Sequence, residues 1–154
     1  TSLYGFELLK GYKDLQISTS FPLPICNSSA AYEIKSICVK SKFKLNSTQA
    51  WVELEKDELE GLIKKSPVHM EIYTYGRPHL LITRAYIPVD NIISDSKGNN
   101  FIIIKDRNNR LVYLYSDKVF TIPEIENTST FLDLCNAKLG EENISTFNYE
   151  YKML

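Results

Sequence analysis

Through the first half of the chain, strand-like and helix-like segments alternate at a spacing of roughly 25 residues, the βαβ rhythm that builds a parallel sheet or barrel. Leu3–Tyr12 carries apolar residues at helical spacing and predicts a short helix. Asp14–Phe21 reads as a strand, stopped by Pro22 and Pro24, which cannot donate to a ladder. Asn27, Ser28 and Ser29 supply N-cap chemistry for a helix from about Ser29 to Lys40, with Ala30, Ala31, Ile34, Ile37 and Cys38 on one stripe. Lys42–Gln49 predicts the next strand. Glu53–Lys65 predicts the next helix, with acids early and Lys64 and Lys65 last, as the helix dipole favours. Val68–Tyr75 is strongly β-prone and closes on Gly76, and Leu80–Tyr86 continues extended.

From Ile87 the pattern changes to short strands joined by turn residues. Phe101–Lys105 and Leu111–Tyr115 are flanked by Ser96-Lys97-Gly98-Asn99 and Asp106-Arg107-Asn108-Asn109, which predicts an antiparallel meander. Glu126–Leu139 reads as a final helix stopped by Gly140, and Ile144–Tyr151 as a last strand. The shift near Pro88 divides the chain into βα units over 1–87 and a meander with a C-terminal helix and strand over 88–154.

Eighteen basic and nineteen acidic side chains leave a net charge of -1, so no global field holds nucleic acid or an anionic membrane. No basic-then-apolar leader and no apolar run of membrane-spanning length occurs. Thr1 stands where an initiator Met is expected, which reads as a processed or excised start. Three cysteines, Cys26, Cys38 and Cys135, make an odd count without a C-x-x-C pair, so neither a disulfide framework nor a zinc knuckle is indicated and a reducing cytoplasm fits. The N-x-S/T triplets at Asn27, Asn46, Asn127 and Asn143 are what an Asn-, Ser- and Thr-rich chain yields by chance.

In parallel α/β folds ligands sit at the C-terminal ends of the strands, so polar residues there are the first site candidates. They are Ser18, Ser20 and Asn27, then Asn46, Ser47 and Gln49, then Glu71, Tyr73, Tyr75 and Arg77. Alternation puts Glu71, Tyr73 and Tyr75 on one strand face and Met70, Ile72 and Thr74 on the other. A carboxylate among phenols can serve as general acid or base, or can form a structural ion pair with Arg77 or Arg84. Arg77, His79 and Arg84 interleave with Tyr73, Tyr75 and Tyr86, a basic and aromatic cluster able to hold a phosphate, a carboxylate or an unstacked base, or to lie along a solvated strand edge. Trp51 can line a pocket or, as an aromatic at the start of a helix more often does, serve packing. His69 and His79 lack companion ligands for a metal, and no serine has a placed His and acid for a triad.

Three stretches in order resemble the C-terminal part of the collagenase-like peptidase family, catalogued among peptidases of unassigned mechanism. They are ISTSFPLPICNSSAAYEI from Ile17, KLNSTQAWVELEKDELEGLIKK from Lys44, and VHMEIYTYGRPHLLITRAYIP from Val68, the last similar to the family signature of Glu, aromatic, Gly and Arg before an apolar run. The following Ile93–Pro123 is similar to the family's Asp-x-x-Gly-x-x-Phe meander.

The resemblance implies the last strands of a (β/α) barrel followed by a β extension, with Glu71 and Arg77 as catalytic candidates. Asn27, Asn46, Gln49, Tyr73, Tyr75, His79 and Arg84 are then substrate-binding candidates. A closed barrel needs eight strands and ~200 or more residues, so the chain reads as a partial barrel that is inactive alone and is completed by an upstream remainder. Members act on collagen-like substrates, while others use an iron-sulfur cluster to hydroxylate RNA or quinones. Where the family often places a cysteine after the apolar run, this chain has Ala85 and Tyr86, and three scattered cysteines cannot supply four cluster ligands, so no cofactor or metal is expected within it. Two other readings stay open: a module that binds RNA or protein through the Tyr and Arg cluster, and a homodimer paired through exposed strand edges.

Overall fold

A computed structural model describes residues 2–12 and 14–150. The fold is mixed α/β, with a sheet that is partly parallel and partly antiparallel and a second, wholly antiparallel sheet. The chain forms two compact units, one of residues 1–74, 122–131 and 146–154, the other of 75–121 and 132–145.

The first unit is built on three parallel strands in sequence order, β1 (Gln16–Thr19), β2 (Lys44–Gln49) and β3 (Met70–Gly76), of which β3 runs on into the second unit at Tyr75. A short helix, α1 (Tyr4–Leu8), precedes them, and α2 (Ser28–Lys40) and α3 (Lys56–Lys65) make the two crossovers that parallel pairing requires. Helix α2 starts where it does because Asn27 Oδ1 accepts from Ala30 N–H at 2.9 Å, and it buries Ala31, Ile34 and Cys38 on one stripe. Helix α3 starts with a reciprocal capping box between Glu55 and Glu58 and buries Leu59 and Leu62. Its charge order, Asp57 and Glu58 first and Lys64 and Lys65 last, follows the dipole.

Helix α2 packs on β2 and on α3. The core of this unit includes Ile25, Leu54, Met70 and Ile72; the last two are 2% and 1% exposed, each contributing about 1.5–3 kcal/mol of burial. The β1–β2 ladder pairs Gln16 with Lys44 and, past an irregularity at Ile17/Ser18, Ser18 with Ser47 and Thr19 with Thr48. On the other side of β2, Thr48 pairs with Met70 and Gln49 with Glu71.

The second unit holds the antiparallel sheet in the order β4 (His79–Thr83), β7 (Leu111–Ser116), β6 (Asn100–Asp106), β5 (Asn91–Ser94). Its turns follow the sequence signals. Asp95 Oδ1 accepts from Lys97 and Asn99 N–H around Gly98, whose φ of +82° needs no Cβ, and Asp106 Oδ1 accepts from Asn108 and Asn109 N–H. Tyr75 and Gly76 pair antiparallel with Thr121 and Phe120 of β8 (Val119–Thr121), and β8 pairs parallel with β10 (Ile144–Ser145).

Several expectations change. Glu126–Leu139 is not a helix: β9 (Ser129–Asp133) lies there and pairs with β3. Local chemistry explains the switch, since Asn127 takes a left-handed φ of +62°, the Thr128 hydroxyl donates to Ile125 C=O, and Ser129-Thr130-Phe131 is β-prone sequence beside an open strand edge. Beyond it Asp133 Oδ1 accepts from Cys135 N–H in a turn. The units part at Thr74/Tyr75 rather than near Pro88, because β4 joins the antiparallel sheet and residues 122–131 and 146–154 return to the first unit. The last strand shrinks to Ile144–Ser145, with Tyr151 outside the described residues, as is Thr1. Among the described residues no helix is long and apolar enough to cross a membrane.

Candidate functional site

Parallel strands packed on both faces are normally rich in Val, Ile and Leu, whereas one face of β1–β3 is polar. Glu71 and Tyr73 share a face of β3, and the register sets Gln49 beside Glu71, with Ser47 two residues earlier on the same side and Ser18 beside Ser47. Carrying the alternation back one residue adds His69, whose C=O accepts from Thr48 N–H at 3.0 Å as the ladder requires. Across the opposite edge of β3, β9 adds Ser129.

The hydrogen bonds on this face are mostly side chain to side chain. Ser47 Oγ donates to Ser18 Oγ at 2.9 Å, and His69 Nε2 lies 2.8 Å from Ser129 Oγ, both of these residues being exposed. On the reverse face the Thr19 and Thr48 hydroxyls share a hydrogen bond. Gln49 is 1% exposed, and its amide orientation is fixed because Phe21 N–H, a donor, meets it at 2.6 Å and so must meet Oε1. The amide Nε2, also buried, has no hydrogen-bond partner among the described residues. Burial pushes the Glu71 carboxyl above the ordinary Glu value, with His69 pulling it partly back, and among the described residues its carboxylate accepts no hydrogen bond. Tyr73 is buried, its ring 5.6 Å from that of Phe131.

The remaining candidates have other duties. Asn27 caps α2. Asn46 is exposed on β2, away from the buried amide. Tyr75, Arg77, His79 and Arg84 belong to the second unit. There the Arg77 guanidinium forms a two-pronged pair with Glu141 and also donates to Asn136 C=O and to Asp117 C=O, the latter at 3.1 Å. Tyr75 O–H donates to Lys138 C=O in the same cluster. Arg77 thus fastens the 132–145 segment to the strand, and its carboxylate partner is Glu141 rather than Glu71. His79 sits edge-on to the stacked Tyr113 and Tyr115, where burial lowers its basicity against the pull of Asp133. Arg84 and Tyr86 are exposed. The basic and aromatic cluster of the sequence is therefore divided by duty, with one arginine tied up and one in solvent.

Cys26, Cys38 and Cys135 are free thiols, each pushed toward the protonated form: Cys26 and Cys38 chiefly by burial, Cys135 chiefly by its bond to Asp133. Among the described residues no group of three His, Cys, Asp or Glu is placed to hold a metal ion. Sequence reasoning missed the pairing of His69 with Ser129. Alternation already put His69 in step with Glu71, but nothing in the sequence brings position 129 back to β3. Comparison with family models, curated proteins and solved structures finds no match to this chain.

Proposed function

We propose that the chain supplies the closing strands of a collagenase-like peptidase barrel and that the polar face of β1–β3 binds and hydrolyses peptide. The observation that carries this reading is Gln49, a wholly buried amide in register with Glu71 on the next strand, which spends its oxygen on Phe21 and, among the described residues, leaves its Nε2 without a partner. A buried donor without a partner costs about 1–3 kcal/mol, a cost that a peptide carbonyl accepting from Nε2 would remove. Glu71, whose carboxyl burial raises above the ordinary Glu value, is the acidic group that this face offers to the hydrolysis.

Two further features support it: three consecutive parallel strands with helical crossovers, in the order that the resemblance implies, and an antiparallel meander after them. Peptide is favoured over RNA because the face carries hydroxyls, an amide, an imidazole and a carboxyl but no Lys or Arg, and nucleic-acid affinity rests on cations against phosphate.

The test is cleavage of fluorescent gelatin and of a collagen-like peptide by the protein with its barrel complete. Glu71→Gln should lower turnover by about a hundredfold, and Gln49→Met should lose a similar factor. Turnover unchanged in both variants would remove this face from the reaction.

A further inference from the structure

We infer that Ser129 is an acyl-accepting nucleophile and His69 its general base. The inference rests on the hydrolase reading for its substrate, and it goes beyond that reading by naming the atom that attacks.

Three features of the first unit carry it. Ser129 Oγ and His69 Nε2 are 2.8 Å apart, the separation a serine and its base require. When Nδ1 carries the ring proton, Oγ donates to Nε2, which is the productive arrangement. Both residues are exposed, so an acyl group can reach Oγ without displacing packed side chains. Ser129 also leaves a tight turn in which Asn127 holds a left-handed φ of +62° and Thr128 is tied to Ile125 C=O, so its backbone is anchored on the approach side. Glu71 follows His69 by two residues on the same strand face, and the two are electrostatically coupled.

The chemistry balances with water as the only co-reactant. Ser129 Oγ attacks the carbonyl carbon of an amide or ester, the C–O bond forms, and the Oγ proton passes to His69 Nε2. The imidazolium charge is opposed by Glu71. The C–N or C–O bond to the leaving group then breaks as His69 returns the proton to it. Water, deprotonated by His69, attacks the acyl-serine, and the acid departs as the proton goes back to Oγ.

The experiment treats the full chain with a fluorophosphonate probe and maps the adduct by peptide mass. Labelling should fall on Ser129, vanish in Ser129→Ala and slow by about a hundredfold in His69→Gln, while Trp51 fluorescence confirms that both variants are folded. An unlabelled wild-type chain, a label on another residue, or labelling unaffected by His69→Gln would each overturn the inference. Gelatin cleavage by the protein with its barrel complete separates it from the broader reading. Cleavage retained in Ser129→Ala defeats the nucleophile and leaves the hydrolase standing. Labelled Ser129 in a wild-type protein that cleaves no peptide defeats the hydrolase and leaves the nucleophile.

Discussion

Replacing Gln49 with Met tests whether the buried amide is there for the fold or for a ligand. The two side chains have similar volume and shape, so the packing change should cost less than about 1.5 kcal/mol. The hydrogen-bond terms then decide. Met cannot accept well from Phe21 N–H, and losing that partner costs up to about 1–3 kcal/mol; Phe21 is only partly buried, so water recovers some of it. In the other direction Met removes the unpartnered Nε2, relieving about 1–3 kcal/mol. The two nearly cancel, and the expected change is within about 1 kcal/mol of zero. A structural amide with both ends satisfied would instead lose about 2–4 kcal/mol, the sum of two broken bonds and the groups they strand. Urea unfolding followed by Trp51 fluorescence is the direct assay. Trp51 is the single tryptophan, its ring lies 4.9 Å from Phe21, and it belongs to the same unit as Gln49. A midpoint shift equivalent to 2 kcal/mol or more would refute the argument that Nε2 awaits a ligand.

Asn27→Ala should destabilise the first unit by about 1 kcal/mol through loss of the α2 cap, with Asn27→Ser close to wild type; urea midpoints decide, and an unchanged Ala variant would return Asn27 to the list of binding residues. Glu71→Gln should be more stable than wild type at neutral pH. Burial raises the Glu71 pKa, so the wild-type protein is relatively most stable below the ordinary Glu value and loses that stability as pH rises through the folded value. The gap between variant and wild type should therefore close on acidification, and a gap that widens would reverse the sign of the burial effect. Arg77→Lys should loosen the second unit nearly as much as Arg77→Ala, because an ammonium cannot span both Glu141 oxygens and two carbonyls; tyrosine near-ultraviolet dichroism reports it, and full rescue by Lys would show that charge alone suffices. Glu141 is held below the ordinary Glu range, first by the bond from Arg77 and then by Lys138 N–H, so this clasp stabilises above that range and weakens as pH falls through the folded value.

The elements of the first unit were legible because their signals are local. Asn27 three residues before Ala30 is a cap wherever it occurs, and the acidic start and lysine end of Glu53–Lys65 belong to a helix irrespective of its neighbours. The segment after Glu126 was misread because its apolar residues fit a helical stripe as well as a strand, and the deciding influence is the open edge of β3, more than fifty residues away. The same distance hid two side-chain partnerships. Arg77 reads as a free cation until Glu141 comes into view 64 positions later, and His69 reads as a lone histidine until Ser129 does 60 positions later. Alternation did place Glu71 and Tyr73 on one face, yet it could not reveal that Gln49 would be buried with half its amide unused.

The polar face of β1–β3 bears on why this sheet is assembled as it is. A parallel sheet sandwiched between apolar layers would be more stable with Val at Ser18 and Ser47 and with Leu at Gln49, since satisfied polar pairs in a core contribute little beyond an apolar substitute and unsatisfied ones cost. The reverse face is more apolar on β3, where Met70 and Ile72 are 2% and 1% exposed, and its buried Thr19 and Thr48 hydroxyls satisfy each other. On that polar face burial raises the Glu71 pKa, with His69 pulling it only partly back, so the carboxyl is held there at a cost. The polar residues of this face are thus ones that the first unit would be more stable without, and that excess cost is what marks the face as a candidate site.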